Sequence, residues 1–162
     1  CLVGSEMCIR DRKAEDNQYV PETSLTETEI RMPGGHLTIA QLIALLNTIP
    51  MEITFVDVDN INRFFNEGPK DFKRPGMAID REVFSCHPPK IEATVRRIIG
   101  EFRAGALDEV PIWMDKNGKC MLVRYMAVRD KEGKYLGTLE LVQDMGFAKE
   151  HFQPEKRQEE IW

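Results

Sequence analysis

The chain has 162 residues, 42% of them hydrophobic and 30% charged, which suits one domain with a buried core. Its formal net charge of −5 argues against a nucleic-acid partner, because phosphates are held mainly by clustered cations; the basic pair Arg96-Arg97 is flanked by Glu92 and Glu101. No apolar run approaches the roughly 20 residues that span a membrane, so neither nucleic acid nor membrane is expected as a partner.

Residues 1–12, CLVGSEMCIRDR, have no useful periodicity and are too short and polar for a signal peptide. They resemble translated sequencing-adapter read-through and are taken as a scar. Setting them aside leaves Cys86 and Cys120, with no CxxC spacing, no disulfide framework and no zinc-finger pattern. A reducing, cytoplasmic setting is the expectation. Residues 13–36 are polar, end in Pro33-Gly34-Gly35 and read as a linker.

A flanking amphipathic helix is expected over 37–50. Thr38 and Gln41 make a capping box, Leu42, Leu45, Leu46 and Ile49 form an apolar stripe, and Pro50 stops the helix. So short a helix is marginal alone, so the stripe must bury against something, either its own sheet or a second copy. The stretch from Ile53 alternates as a strand, with Ile53, Phe55 and Asp57 on one side and Thr54, Val56 and Val58 on the other. Asp57-Val58-Asp59-Asn60 supplies a turn, and Asn62–Asn66 the return strand. Residues 67–88, broken by Gly68, Pro69, Pro75 and Gly76, suit loops and short helical turns.

A long amphipathic helix follows. Ile91, Val95, Ile98, Ile99 and Phe102 share one face, Pro88-Pro89 fit the entry and Gly105 the exit. Three strands are expected after it, over 109–115, 119–129 and 135–144, joined by turns at Asn117-Gly118 and Asp130–Gly133. Residues 147–162 form a charged tail broken by Pro154. This order predicts an α+β fold, a five-stranded antiparallel sheet with helices on one face.

The order and several segments resemble the PAS fold. NTIPMEITFVDVDN, FKRPGMAIDREVFSCHPPK, VRYMAVRDKEGKYLGTLE and LVQDM are similar to one bacterial PAS family whose members often follow a hemerythrin-like domain. The similarity runs from about Gly34 to Met145, with the PAS domain itself expected over 51–146. The resemblance implies a sensory or protein-interaction module rather than an enzyme. It also implies a homodimer, paired through the stripe Leu42, Leu45, Leu46 and Ile49, and a hemerythrin-like or other regulatory domain in cis. One departure is Asp80-Arg81, where the family usually has Gly-Arg.

The chemistry-bearing residues have two readings each. His87, beside Cys86, is a candidate axial haem ligand, since imidazole ligates haem iron. The other reading is structural: His87 bonds nearby backbone at the helix entry, and Cys86 packs as a small hydrophobe. No second His lies near, and the four ligands of a structural zinc are absent. A photoreactive flavin is excluded because Cys86 falls too late after Arg81. Neither GxSxG, P-loop, HExxH nor a kinase signature occurs, and Asp57 and Asp59 read as turn-capping residues. Phe55, Phe84, Val95, Ile99, Trp113 and Tyr125 are expected to line a small apolar cavity between sheet and long helix, with Tyr125 and His87 orienting a ligand. Either Arg124 or Arg129 is expected to point inward and pair with a carboxylate. Three functions follow: a small-ligand sensor, a haem-binding redox or gas sensor using His87, or a ligand-free dimerisation module.

Overall fold

The computed structural model describes residues 27–68, 71–72 and 78–152, and divides after Ile49 into two units. The scar read over 1–12, the linker up to residue 26 and the tail from 153 lie outside the described residues.

In the first unit, β1 (Glu29–Met32) and β2 (Gly35–Thr38) form an antiparallel hairpin. This corrects the linker reading: Pro33-Gly34-Gly35 is a hairpin turn, with Gly35 at φ 139°, a value that side chains disfavour. Helix α1 (Ile39–Thr48) follows at once. Its capping box is complete, Gln41 N–H donating to Thr38 Oγ1 at 3.1 Å and Thr38 N–H to Gln41 Oε1 at 3.0 Å. None of its residues is buried.

The second unit is built on a five-stranded antiparallel sheet in the order β4-β3-β7-β6-β5. Its strands are β3 (Glu52–Asp57), β4 (Asn62–Phe65), β5 (Glu109–Lys116), β6 (Lys119–Arg129) and β7 (Tyr135–Asp144). The first and last strands are therefore central neighbours, and the chain from β4 to β5 must travel from one edge to the other. It does so through a 3-10 turn, Val83–Cys86, and helix α2 (Pro89–Ala104). A short helix, α3 (Gly146–His151), follows β7 and packs against β6.

Local chemistry sets the ends of these elements. Pro89 opens α2 where a missing N–H costs nothing, and Gly105 closes it in the left-handed conformation at φ 74°. Gly105 N–H donates to the Phe102 carbonyl at 3.1 Å and Ala106 N–H to that of Glu101 at 3.0 Å, the paired bonds of a Schellman motif. Asn117 and Gly118 both have positive φ, 54° and 79°, as the tight β5–β6 turn requires. Asp80 also sits at a left-handed φ of 60°. That conformation suits the family's usual glycine, and Asp is among the side chains that tolerate it; its carboxylate takes an Arg63 N–H at 2.8 Å.

The β3–β4 turn is organised by Asp57. Its Oδ1 accepts the amides of Asp59 at 2.9 Å and Ile61 at 3.0 Å, and its Oδ2 accepts Arg63 Nε. Burial alone raises its pKa, but the Ile61 amide, the Arg63 guanidinium and the Asp59 amide outweigh it and hold the carboxyl below its ordinary range. This bears out Asp57 as a turn cap. The two arginines of β6 both find acidic partners: Arg124 Nε donates to Glu109 at 2.6 Å and Arg129 Nε to Asp108 at 2.9 Å. Arg129 also donates to the Phe102 carbonyl at 2.7 Å, tying β6 to the end of α2.

Two outcomes test this frame. A Cβ at Gly137 would run into the Val56 carbonyl on the neighbouring strand and lie 2.8 Å from the Phe55 ring, so Gly137→Ala lowers unfolding stability by about 3 kcal/mol in denaturant titration. Because the Asp57 pKa is depressed on folding, its stabilisation is present above about pH 4 and is lost as pH falls through the folded value. Asp57→Asn therefore costs about 1 kcal/mol at pH 7, and the gap from wild type closes in acid when unfolding is measured as a function of pH.

Candidate functional site

Helix α2 turns Val95, Ile98, Ile99 and Phe102 onto one face of the sheet, and Phe102 is fully buried. Val95 and Ile99 cluster with Val83 and Phe84 of the 3-10 turn and Val56 of β3. Ile98 and Phe102 cluster with Tyr135, with Val110, Tyr125 and Ala127 packed against them. The helix-facing side of the sheet thus carries Val56 on β3, Val110 on β5, and Tyr125 and Ala127 on β6.

Strand pairing extends this face residue by residue, since directly opposed side chains share a side. One row across the sheet is Phe65, Thr54, Glu140, Tyr125 and Val110; the next is Glu52, Val142, Val123 and Ile112. In these two rows the polar side chains Glu52, Thr54 and Glu140 therefore belong to the side on which α2 packs. Glu52 and Thr54 are buried, at 6% and 2% exposure. Glu52 Oε1 accepts the Asp71 amide at 2.6 Å and the Phe72 amide at 3.2 Å. Lys116 donates to the Asp71 carbonyl at 2.6 Å and lies 3.3 Å above the Phe72 ring.

Of the residues expected to line a cavity, Phe84, Val95, Ile99 and Tyr125 come together on this side, with Phe84 stacked under the Arg96 guanidinium at 3.7 Å. Two do not. Phe55 alternates with Thr54 and Val56 and so faces the other side of the sheet, where its opposed partners are Leu139 and Phe64. Trp113 also points away: β5 exposes every second residue, and Trp113 is 65% exposed, in phase with Pro111 and Asp115. The signal for Trp113 was in the sequence, because the charge of Asp115 marks its side as the wet one. No such signal existed for β3, a central strand whose two faces are both covered.

His87 is half-buried at the entry to α2, and its Nδ1 lies 2.8 Å from the Val83 carbonyl, to which it donates as the Nδ1–H tautomer. The packing expected of the Cys86 side chain lies outside the described residues. Near His87 in the chain, Val83 and Phe84 of the 3-10 turn pack with Val56, Val95 and Ile99 between α2 and the sheet. Among the described residues, no group of three His, Cys, Asp or Glu could hold a metal ion, and no helix is long and apolar enough to cross a membrane.

A family model described as PAS domain matches residues 42–146. The chain belongs to the PAS domain family. Members of this family are sensory and signalling modules, and the sheet with its crossing helix is the PAS fold. The chain is also similar to the C-terminal domain of a protein from Streptococcus mutans, at 37% identity and a TM-score of 0.74, covering 77% of this chain and 98% of that one. Weaker likenesses in fold are to the PAS domain of a protein from Colwellia psychrerythraea, with 15% identity, a TM-score of 0.47 and coverage of 65% and 94%, and to a sensory box sensor histidine kinase from Vibrio cholerae, with 12% identity, a TM-score of 0.45 and coverage of 64% and 88%. No curated protein matches.

The two sides of the PAS sheet respond differently to truncation. Ile99→Ala leaves a cavity between helix and sheet and costs about 2–5 kcal/mol, whereas Trp113→Ala stays within about 0.5 kcal/mol of wild type; chemical denaturation of the two variants side by side measures both.

Proposed function

We propose that this PAS domain is a non-enzymatic sensory module that pairs with a second copy through α1 and answers to a small ligand on the α2-facing side of its sheet. The observation that carries the pairing is the condition of α1. It is a regular, fully capped helix with an apolar stripe, yet none of its residues is buried, and Leu45 is 49% exposed. Burying a leucine is worth about 1.5–3 kcal/mol, and a helix of ten residues draws its stability from such packing rather than from propensity. A second copy supplies an identical stripe, the simplest self-complementary cover.

Ligand binding acts by favouring one packing of the pair over another, and it shifts that balance only as far as its affinities for the two states differ. Packing of the inner face around His87 disfavours the haem alternative, and a polar inner face favours a ligand over a wholly filled core. The resemblance over residues 34–145 supports a hemerythrin-like or other regulatory domain as the neighbour in cis, in the cytoplasm. The relative from Streptococcus mutans being a C-terminal domain agrees with that placement.

Sedimentation velocity over a range of concentrations tests the pairing. Leu45→Glu puts a charge into the stripe and weakens self-association at least ten-fold while the circular dichroism spectrum is unchanged. Identical sedimentation of variant and wild type overturns the proposal.

A further inference from the structure

Among the described residues, two buried polar atoms on the helix-facing side of the sheet have no hydrogen-bond partner, Glu52 Oε2 and Thr54 Oγ1. A buried polar group left unpaired costs about 1–3 kcal/mol, and more if it is charged; native structures keep few of them, often where a ligand or water completes the set. Both atoms belong to β3, two residues apart on one face, so their backbones are about 6.6 Å apart along the strand. They share a neighbourhood as well as a face. Glu140 stands directly opposite Thr54 on β7, and Tyr125 is next in the same row.

The chemistry of these groups selects what can complete them. Glu52 Oε1 is already taken by the Asp71 and Phe72 amides, which hold the carboxylate in place and leave Oε2 as an acceptor. Thr54 Oγ1 both accepts and donates. Glu140 adds a second acidic side chain to the same face. Lys116 is committed to the Asp71 carbonyl and the Phe72 ring. No ion pair joins Glu52 to a basic side chain among the described residues.

We infer that this part of the inner face binds a small cationic ligand rich in N–H donors, an aliphatic ammonium or guanidinium compound. Its charged head is received by Glu52 Oε2 and Thr54 Oγ1, and the apolar side chains of Val142 and Val123 in the adjoining row lie against its carbon chain. The inference rests on the reading of this face as the ligand side of the PAS module, and specifies the class of ligand it takes. An anion is repelled by the Glu52 carboxylate. A neutral O–H donor can pair Glu52 Oε2 but does not offset the charge of its carboxylate.

The test uses the full chain and three four-carbon probes that differ in charge: 1,4-diaminobutane, 1,4-butanediol and succinate. Calorimetric titration and thermal unfolding at neutral pH read binding. Amide resonances of Asp71 and Phe72 report on the Glu52 carboxylate directly. The expected result is binding of the diamine alone, with movement of both resonances. Affinity falls at least ten-fold in Glu52→Gln and several-fold in Thr54→Val, a variant of nearly the same shape that keeps the test valid if the first folds poorly. Preference for the diol or succinate, or undiminished diamine binding in both variants, overturns the cationic assignment and leaves the ligand-side reading standing. Failure of all three probes to bind overturns both.

Discussion

Phe102, Ile98, Ile99 and Val95 have to leave water together, because they lie on one stripe of a single rigid helix. The face of the sheet is the surface large enough to receive them, and most other features of the second unit serve that docking. The chain leaves the sheet at one edge after β4 and must re-enter at the opposite edge as β5, so α2 has to lie across the face rather than beside it. Both helix ends are then pinned. Gly105 closes the C-terminus, Arg129 grips the Phe102 carbonyl from β6, and Arg103 reaches the Val58 carbonyl at 2.8 Å and Asn60 Oδ1 at 2.9 Å in the β3–β4 turn. At the other end, His87 and the 3-10 turn hold the entry through the Val83 carbonyl.

That docking is apolar where Val95 and Ile99 meet Val56, Val83 and Phe84, but not throughout. The rows holding Glu52, Thr54 and Glu140 place carboxylates and a hydroxyl on the same face, where desolvating them is costly unless they are paired. Backbone amides of Asp71 and Phe72 offset part of that cost for Glu52. A sheet evolved only to pack a helix gains nothing from this arrangement. On the proposed reading, that polar part of the face is where a ligand is selected.

The helices, strands and turns were readable from local pattern because each is set by local chemistry. The capping box at Thr38, the Asn117-Gly118 turn, the proline entry and glycine exit of α2 and the strands at 119–129 and 135–144 are where the pattern put them. The hairpin at 29–38 was hidden, since strands of four residues with mostly exposed side chains carry little periodic signal. Side assignment was harder still. Trp113 and Phe55 were drawn to the ligand side by their size, yet parity puts both on the other face, and parity along β3 means nothing until its neighbours β4 and β7 are known. Thr54 and Glu140 lie 86 residues apart in sequence by their numbering and meet only because the last strand inserts beside the first.

Sequence by itself determined what depends on neighbours within a few residues: the α+β class, the extent of the long helix, the turn types and the resemblance to PAS domains. Those properties follow from backbone conformational preference and short-range hydrogen bonding, which a linear chain carries explicitly. Tertiary structure alone decided which side of each strand meets α2, that Nδ1 of His87 meets the Val83 carbonyl, and that Glu52 and Thr54 are buried with an oxygen each left over. Burial and partnership are properties of surfaces brought together, and no single stretch of chain contains both members of the pair.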